Sequence, residues 1–320
     1  MPSKWNPPAR NQLGIVGAGA VGSTIAYAAM LRGVVHEIVL TDVNASKAEA
    51  EAKDLLHGSV FVPSAEVWAG SLADLRDSTV IVITAGAKQK PGQSRLDLIG
   101  ENTAVLTDLV PKLVEIAPDA LFLIVSNPVD VLTYVAWKLS GLPGARVFGS
   151  GTVLDTSRFR SLLALRLRVA VANVHAQVIG EHGDSEVPLW STAQIAGIPL
   201  DQFSSTDAPK LTQSDRESIF KGVRAAAAQV IAAKGATNWA IGLAVTRILE
   251  AILRDEQAVL AVSRVLQNYH DISNVCLSVP SLVGSSGVGA PLPLQISKEE
   301  MAAFKASADV VRDVIVKLGF

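Results

Sequence analysis

Four short segments of the chain carry polar side chains of the kinds that take part in enzymatic reactions. They span residues 86–95, 126–130, 155–158 and 180–184. The imidazole of His182 titrates near neutrality, so it can both accept and donate a proton. The planar guanidinium of Arg158 can hold a carboxylate through two parallel hydrogen bonds, which a lysine cannot do. These residue types suit proton transfer and the binding of a carboxylate.

A glycine-rich segment near the start of the chain predicts a nucleotide site. Its sequence, Gly17-Ala18-Gly19-Ala20-Val21-Gly22, follows an apolar run and opens a helix-like segment over residues 23–32. Glycines in this context let the backbone turn sharply and approach a pyrophosphate, while free amides at the helix start face the negative charge. A tight turn without a nucleotide is the alternative interpretation.

Asp42 predicts which dinucleotide binds. It lies twenty residues beyond Gly22, at the end of the second strand candidate, where a carboxylate can accept hydrogen bonds from ribose hydroxyls. A 2′-phosphate would bring like charge against Asp42, which favours NAD over NADP. Lys47 lies nearby, so binding of NADP remains the alternative.

The elements that would position these residues indicate an α/β fold. Six short apolar runs alternate with helix-like segments, at residues 13–16, 38–41, 66–69, 80–84, 121–126 and 146–149. Apolar runs without alternation are typical of parallel strands covered on both faces. We therefore expect a Rossmann-type, doubly wound parallel sheet over residues 13–150, preceded by a flexible tail at 1–12.

Beyond residue 150 the pattern changes, which predicts a second, α+β catalytic domain at 151–320. Strand candidates lie at 169–179 and 274–283. Apolar residues recur at helical spacing behind Thr212 and again behind Ser297. Ser297 and Glu300 fit a capping box, and Gly319 can close the last helix.

Composition excludes several classes of function. The 320 residues are 49% hydrophobic and 18% charged, with 30 acidic against 28 basic side chains, so the chain is globular and lacks the basic footprint of a nucleic-acid binder. Its single cysteine, Cys276, cannot form an internal disulfide, and no Cys/His cluster has metal-ligand spacing. No secretory signal or membrane span is evident, which predicts a cytoplasmic protein.

Taken together, the glycine segment and the four reactive segments closely resemble the L-lactate/malate dehydrogenase family, and the similarity runs from Leu13 to Phe320. The resemblance implies an NAD-dependent oxidoreductase that acts in glycolysis and fermentation. It also implies a set of cofactor-binding residues, namely Gly17, Gly19, Val21, Gly22, Asp42, Lys47, Gly86, Ala87, Val125, Asn127 and Ile241. Among these, Ile241 would pack on the nicotinamide ring.

The same resemblance implies the catalytic roles. His182 matches the family's acid/base, and Asp155 matches the carboxylate that orients its ring. Arg158 matches the anchor of the substrate carboxylate. Arg95, at the end of a segment that resembles a mobile loop, would polarise the reacting carbonyl. Asn127 would hydrogen-bond the reacting oxygen, whereas Asp130 is interpreted as a residue that holds its own turn.

Two positions favour lactate as the substrate. The resemblance implies glutamine at the position of Gln89 in lactate-type members and arginine there in malate-type members. Thr237 likewise matches a lactate-type pocket residue. The physics agrees, because burying the second carboxylate of oxaloacetate without a cation is costly. The predicted reaction is L-lactate + NAD+ = pyruvate + NADH; the alternatives are malate dehydrogenation and NAD binding without turnover.

A regulatory site is also implied by the resemblance. Arg160 and His175 match the pair that binds fructose 1,6-bisphosphate in allosteric bacterial members, and both side chains suit phosphate. The resemblance further implies a homotetramer.

Overall fold

A computed structural model describes residues 11–63, 65–87, 95–205 and 210–320, without the side chains of residues 95 and 96. Its central sheet begins with six strands that pair in parallel in the order β3-β2-β1-β4-β5-β6. These are β1 (Gln12–Val16), β2 (Glu37–Thr41), β3 (Glu66–Ala69), β4 (Ser78–Ile83), β5 (Leu121–Ile124) and β6 (Val147–Gly149). The order is that of a doubly wound dinucleotide-binding sheet, so the predicted fold class is confirmed.

Both faces of this sheet are buried, which explains the unbroken apolar runs. Along β4, Val80 and Val82 belong to one core cluster, and Ile81 and Ile83 belong to another on the opposite face. Successive side chains of a strand point to opposite faces, so every position of a doubly covered strand is apolar.

Eight α-helices lie within the described residues, and those of the first half cover the two faces. They are α1 (Ala20–Leu31), α2 (Ala45–His57), α3 (Arg95–Ile116), α4 (Val129–Ser140), α5 (Val153–Leu167), α6 (Gln213–Lys234), α7 (Trp239–Leu253) and α8 (Lys298–Lys317). Helices α1 and α7 contribute to the first cluster, and α3 and α4 to the second. The sheet edge where the parallel strands end therefore lies between two helical layers.

The sheet continues into the second half of the chain. Three antiparallel strands, β12 (Ala258–Leu266), β13 (Val275–Gly284) and β14 (Gly287–Pro291), extend it beyond β6 to nine strands. They join through the pair Ser263 and Gly149. The sequence predicted β13 but not β12, in which Ser263 and Arg264 interrupt the apolar pattern. One sheet thus crosses the predicted boundary at residue 150, and the division into domains stays a prediction.

Apart from helices α5 to α8, the rest of the second half is built from short strands and a 3-10 helix. The strand candidates at 169–179 correspond to two short strands, β7 (Val174–His175) and β8 (Val178–Ile179), preceded by a 3-10 helix, Val171–Asn173. Three further short strands are β9 (Val187–Pro188), β10 (Gln194–Ile195) and β11 (Ile198–Pro199). The remaining 3-10 helices are Ser59–Phe61 and Leu72–Leu75.

The helix ends agree with the sequence patterns. Thr212 caps α6, and Ser297 and Glu300 form the expected capping box at the start of α8. Gly319 follows α8 with φ +84°, a conformation that glycine adopts without strain.

The predicted N-terminal tail lies mostly outside the described residues. Its last member, Gln12, is an exception: it is the first residue of β1, and its side chain accepts a hydrogen bond of 2.7 Å from Ser78. Among the described helices, none has the combination of length and apolarity needed to cross a membrane.

Candidate active site

The turn between β1 and α1 forms a cradle of backbone amides. Gly17 has φ +108°, and a Cβ there would lie 2.7 Å from the Oγ1 of Thr84. At Gly22 a Cβ would lie 1.9 Å from the carbonyl oxygen of Gly17, so only glycine lets α1 approach this turn. At Gly19 a Cβ would meet nothing within 4 Å, which marks open space directly before the helix.

That open space fits the pyrophosphate of a dinucleotide. Gly19 is the N-cap of α1, and no side chain caps the helix start. The first amides of a helix lack intrahelical acceptors, and an anion can satisfy them. The predicted residues Gly17, Gly19, Val21 and Gly22 therefore lie together around one cradle.

Asp42 lies at the end of β2, beside the same turn. Its carboxylate accepts hydrogen bonds from the amide of Ala18, at 2.7 Å, and from the amide of Asn44, at 2.9 Å. The residue is still partly exposed, and each carboxylate oxygen can accept more than one hydrogen bond, so it can also receive ribose hydroxyls. Lys47 lies in the first turn of α2 with an exposed side chain.

The ends of β4 and β5 form the next part of the site. Gly86 and Ala87 follow β4, and Val125 and Asn127 follow β5, which ends two residues earlier than the predicted run. Asn102 of α3 links the two segments, because its side chain accepts from the amide of Ala87 at 2.7 Å and donates to the carbonyl of Asn127 at 2.9 Å.

Asn102 was not detected from sequence, since nothing in a helical segment marks a buried asparagine as a connector. Val125 is buried in the first core cluster, whereas the side chain of Asn127 is exposed and its Oδ1 accepts weakly from the amide of Val129, at 3.3 Å. The exposed amide remains available to a ligand at the carboxyl end of the sheet.

His182 and Asp155 form a close pair. The Nδ1 of His182 lies 2.5 Å from the Oδ2 of Asp155, which extends from the first turn of α5 and is 2% exposed. Because Asp155 can only accept a hydrogen bond when ionised, Nδ1 carries the proton and Nε2 is left for exchange.

The electrostatics of the pair favour a protonated histidine. Burial by itself would lower the pKa of His182, but the charge and hydrogen bond of Asp155, and the charge of Asp130, outweigh burial and raise the pKa to about 9. Burial would raise the pKa of Asp155, yet His182 and Arg158 outweigh it and hold that pKa below its usual value. In the absence of ligand, the pair is therefore an imidazolium and a carboxylate at neutral pH.

Arg158 lies one helical turn after Asp155 and faces the same space. Its Nη1 donates to the Oδ1 of Asp155 at 2.7 Å, and the side chain is 17% exposed. The guanidinium has five N–H donors, so this contact leaves donors for a second carboxylate. The structure thus brings the predicted acid/base, its partner carboxylate and the predicted anion anchor into one cluster.

Asp130 has a different role from the one predicted. It holds no turn of its own: its Oδ2 accepts from the amide of His182 at 2.7 Å, and its Oδ1 accepts from the hydroxyl of Ser263 at 2.6 Å. Burial raises the pKa of Asp130 to about 6, against the lowering effect of these bonds. Asp130 thus ties the segment around His182 to α4 and to β12.

Sequence reasoning also missed Glu186. It is 6% exposed, and its carboxyl, that of Asp155 and the ring of His182 each place one atom within 4.8 Å of the others. Burial raises the pKa of Glu186 to about 8. Its position four residues after His182 carries no sequence pattern that marks it as a member of the site. These three groups are also of kinds that can ligate a metal.

The remaining predicted contacts come from the second half of the chain. Thr237 lies in the loop between α6 and α7, and Ile241 in α7 packs against the first core cluster, as Val21 does. Helix α7 is held close to α1, since Asn238 donates to the hydroxyl of Thr24 at 2.9 Å. Gln89 lies outside the described residues, as does the side chain of Arg95, the first residue of α3.

A separate cavity of about 840 Å3 adjoins α5, α7 and β12. Arg160, His175 and Arg247 all line it. The Nε of Arg160 is buried without a hydrogen-bond partner, and Arg247 forms an ion pair with Glu256 at 2.5 Å. The structure therefore brings the two predicted effector residues into one pocket, together with a second arginine.

Comparisons with known proteins agree with this geometry. The NAD binding domain of the lactate/malate dehydrogenases matches residues 11–149, and their alpha/beta C-terminal domain matches residues 152–318. An L-lactate dehydrogenase of Thermoanaerobacter sp. (strain X514) is 48% identical over 96% of this chain and 99% of its own. One of Thermus aquaticus is 46% identical over 97% and 100%.

Solved structures show the same likeness in three dimensions. The minor L-lactate dehydrogenase of Enterococcus mundtii, in a ligand-bound form, superposes with a TM-score of 0.93 at 41% identity and covers 96% of this chain and 98% of its own. The lactate dehydrogenase MGS-M5, from a Medee basin deep-sea metagenome library, has a TM-score of 0.93 at 38% identity, covering 97% and 100%. By its fold, its site and these matches over nearly its whole length, the chain belongs to the lactate/malate dehydrogenase family.

Proposed function

We propose that the protein is an NAD-dependent dehydrogenase that interconverts L-lactate and pyruvate. The observation that carries the proposal is the cluster of His182, Asp155 and Arg158 at the carboxyl end of a dinucleotide-binding sheet. The cluster combines a proton donor and acceptor with an anchor for a carboxylate, as a small 2-hydroxy acid requires. The relatives of both kinds carry the name lactate dehydrogenase.

The residues divide the work as follows. Arg158 holds the C1 carboxylate of the substrate through its free guanidinium donors. His182 exchanges a proton with the C2 oxygen through Nε2, while Asp155 fixes the tautomer and stabilises the imidazolium. Bound NAD supplies the acceptor or donor of the hydride at C2.

The protein's contribution beyond these groups is alignment. The glycine cradle before α1 holds the pyrophosphate, and Asp42 binds the adenosine ribose. Ile241 lies on α7, which is held close to α1, and we assign to it the contact with the nicotinamide ring. Arg95 polarises the reacting carbonyl, and Asn127 orients its oxygen.

Lactate rather than malate is proposed on the basis of Gln89 and Thr237. Neither residue offers a positive charge to a second carboxylate. Burying an unpaired carboxylate costs several kcal/mol, so a pocket without a cation selects the methyl group of pyruvate.

The cavity beside Arg160 and His175 supports an anionic effector, which we assign to fructose 1,6-bisphosphate. Two arginines and a histidine line it, and the Nε of Arg160 has an unused donor. Exposed apolar side chains on its wall, Leu243 at 54% and Val259 at 44%, favour contact with another subunit and so support the homotetramer. A cytoplasmic location stays a prediction.

The test is to follow NADH absorbance with pyruvate or oxaloacetate, each with and without fructose 1,6-bisphosphate. Rapid loss of NADH with pyruvate is the expected result. Preference for oxaloacetate would instead make the protein a malate dehydrogenase, and no turnover of either acid would support NAD binding without catalysis. A rate with pyruvate that does not change on adding the bisphosphate would contradict the effector site.

A further inference from the structure

Glu186 is an ionisable group in the reaction cavity to which the mechanism above gives no part. It directly precedes β9, and its side chain is buried against the catalytic pair. One atom each of Glu186, Asp155 and His182 lie within 4.8 Å of one another. The Oε1 of Glu186 is buried and has no hydrogen-bond partner.

The two neighbouring carboxyl groups do not ionise alike. Asp155 has direct contacts to His182 at 2.5 Å and to Arg158 at 2.7 Å, and both stabilise its charged form. Glu186 has an unpaired oxygen in a buried position, where a charge is costly. The negative charge therefore stays on Asp155 and the proton on Glu186.

Four ionisable groups act on the Glu186 carboxyl, from α5, from α6 and from the loop that holds His182. Burial is the largest influence and raises its pKa, and the charge of Asp155 on α5 raises it further. His182, Arg158 on α5 and Arg224 on α6 lower it, and the net result is a pKa of about 8. Glu186 thus changes from neutral to charged within a pH range that is accessible to the folded protein.

We propose that Glu186 controls the access of the substrate carboxylate to Arg158: when protonated it leaves the guanidinium to the substrate, and when ionised it attracts the guanidinium and repels the substrate. Glu186 is then a positioning residue that acts through Arg158. This inference rests on the proposed function, because the competing group is the carboxylate of lactate or pyruvate.

Lactate oxidation separates this effect from the titration of His182. In that direction His182 must accept a proton, so the loss of its proton at higher pH favours the reaction. An ionised Glu186 has the opposite effect, since it weakens the binding of lactate. A rise in the KM for lactate at high pH therefore cannot come from His182.

The experiment measures the KM and kcat for L-lactate from pH 7 to pH 10 in the wild type and in Glu186→Gln. The ratio of the wild-type KM to the variant KM is expected to rise with pH above about 8, by at most roughly tenfold per pH unit, because only the wild type carries a group at this position that ionises there. A merely structural role of Glu186 would change KM or kcat without this dependence on pH.

Glu217→Gln is the matched control. Glu217 is an exposed carboxylate on α6 that accepts a hydrogen bond from Gln213 at 3.0 Å, so the same chemical change is made outside the cavity. This control is expected to follow the wild-type profile. Circular dichroism across the pH range verifies that each protein stays folded, and Glu186→Met replaces the glutamine variant if that variant does not fold.

The inference is overturned by a ratio of the wild-type KM to the Glu186→Gln KM that stays constant above about pH 8, because the carboxyl group then has no pH-dependent effect on lactate binding. Failure of the proposed function is a different result, namely no oxidation of L-lactate and no reduction of pyruvate at any pH.

Discussion

The two parts of the active site depend on different properties of the chain. The nucleotide cradle depends on open space and on backbone amides. Both come from the glycines and the helix start of one short segment, residues 17–22. The acid/base cluster depends on charge, and its buried and partly buried side chains come from α4, α5 and the segment around His182. An added methyl group is therefore expected to damage the cradle, and a changed charge the cluster.

The largest effect is expected from His182→Asn, which removes the proton carrier but keeps a polar side chain of similar size. The kcat for pyruvate reduction should fall by about 10²- to 10⁴-fold. The Kd for NADH, measured by fluorescence titration, should stay unchanged, because the cradle does not use this side chain. A comparable loss of NADH affinity would mean that the two parts are not separable.

A smaller effect is expected from Arg158→Lys, which keeps the charge but loses the paired donors. Charge-assisted hydrogen bonds contribute about 1.5–3 kcal/mol, so the KM for pyruvate should rise by roughly 10- to 100-fold. Steady-state kinetics with pyruvate provide the measurement. An unchanged KM would show that Arg158 serves Asp155 alone.

A matched pair of glycine substitutions tests the cradle. Gly22→Ala places a methyl group against the carbonyl of Gly17 and should lower the free energy of unfolding by about 1–3 kcal/mol, measured by urea titration. Gly19→Ala meets no protein atom within 4 Å, so it should leave stability unchanged and instead weaken NADH binding. Equal loss of stability in both variants would contradict the assignment of open space to the pyrophosphate.

The smallest effect is expected from Gln89→Arg. A cation at this position would pair with the second carboxylate of oxaloacetate and shift kcat/KM from pyruvate toward oxaloacetate by at least about tenfold, or ~1.4 kcal/mol. Kinetics with both oxoacids measure the shift. Unchanged selectivity would place the discrimination elsewhere, with Thr237 as the next position to change.

The same contrast explains what the sequence predicted well. The cradle and the six parallel strands depend on local spacing, so the glycine turn was expected directly after the first strand and the ends of the six strands were predicted to within about two residues. The resemblance to a known family led to His182, Asp155 and Arg158, which the structure brings together.

Features that depend on distant contacts were missed. Asp130 bonds the amide of His182 and the hydroxyl of Ser263, which lie far away in sequence, so it was wrongly assigned to its own turn. Glu186 belongs to the site because it is buried beside Asp155. The sequence shows only a polar residue outside the predicted elements, and its burial cannot be deduced from that. Strand β12 was missed because its pairing with β13 and β6, rather than an apolar pattern, defines it.

The continuous nine-stranded sheet has a consequence for folding. If the chain ended after β6, that strand would present an unpaired edge, which β12 covers in the whole protein. The first core cluster would also lose Val245, Ile248, Leu249 and Ile252, all from α7. Uncovered strand edges and exposed apolar surface promote aggregation. The NAD-binding half is therefore not expected to fold autonomously, because it depends on β12 and α7 from the second half.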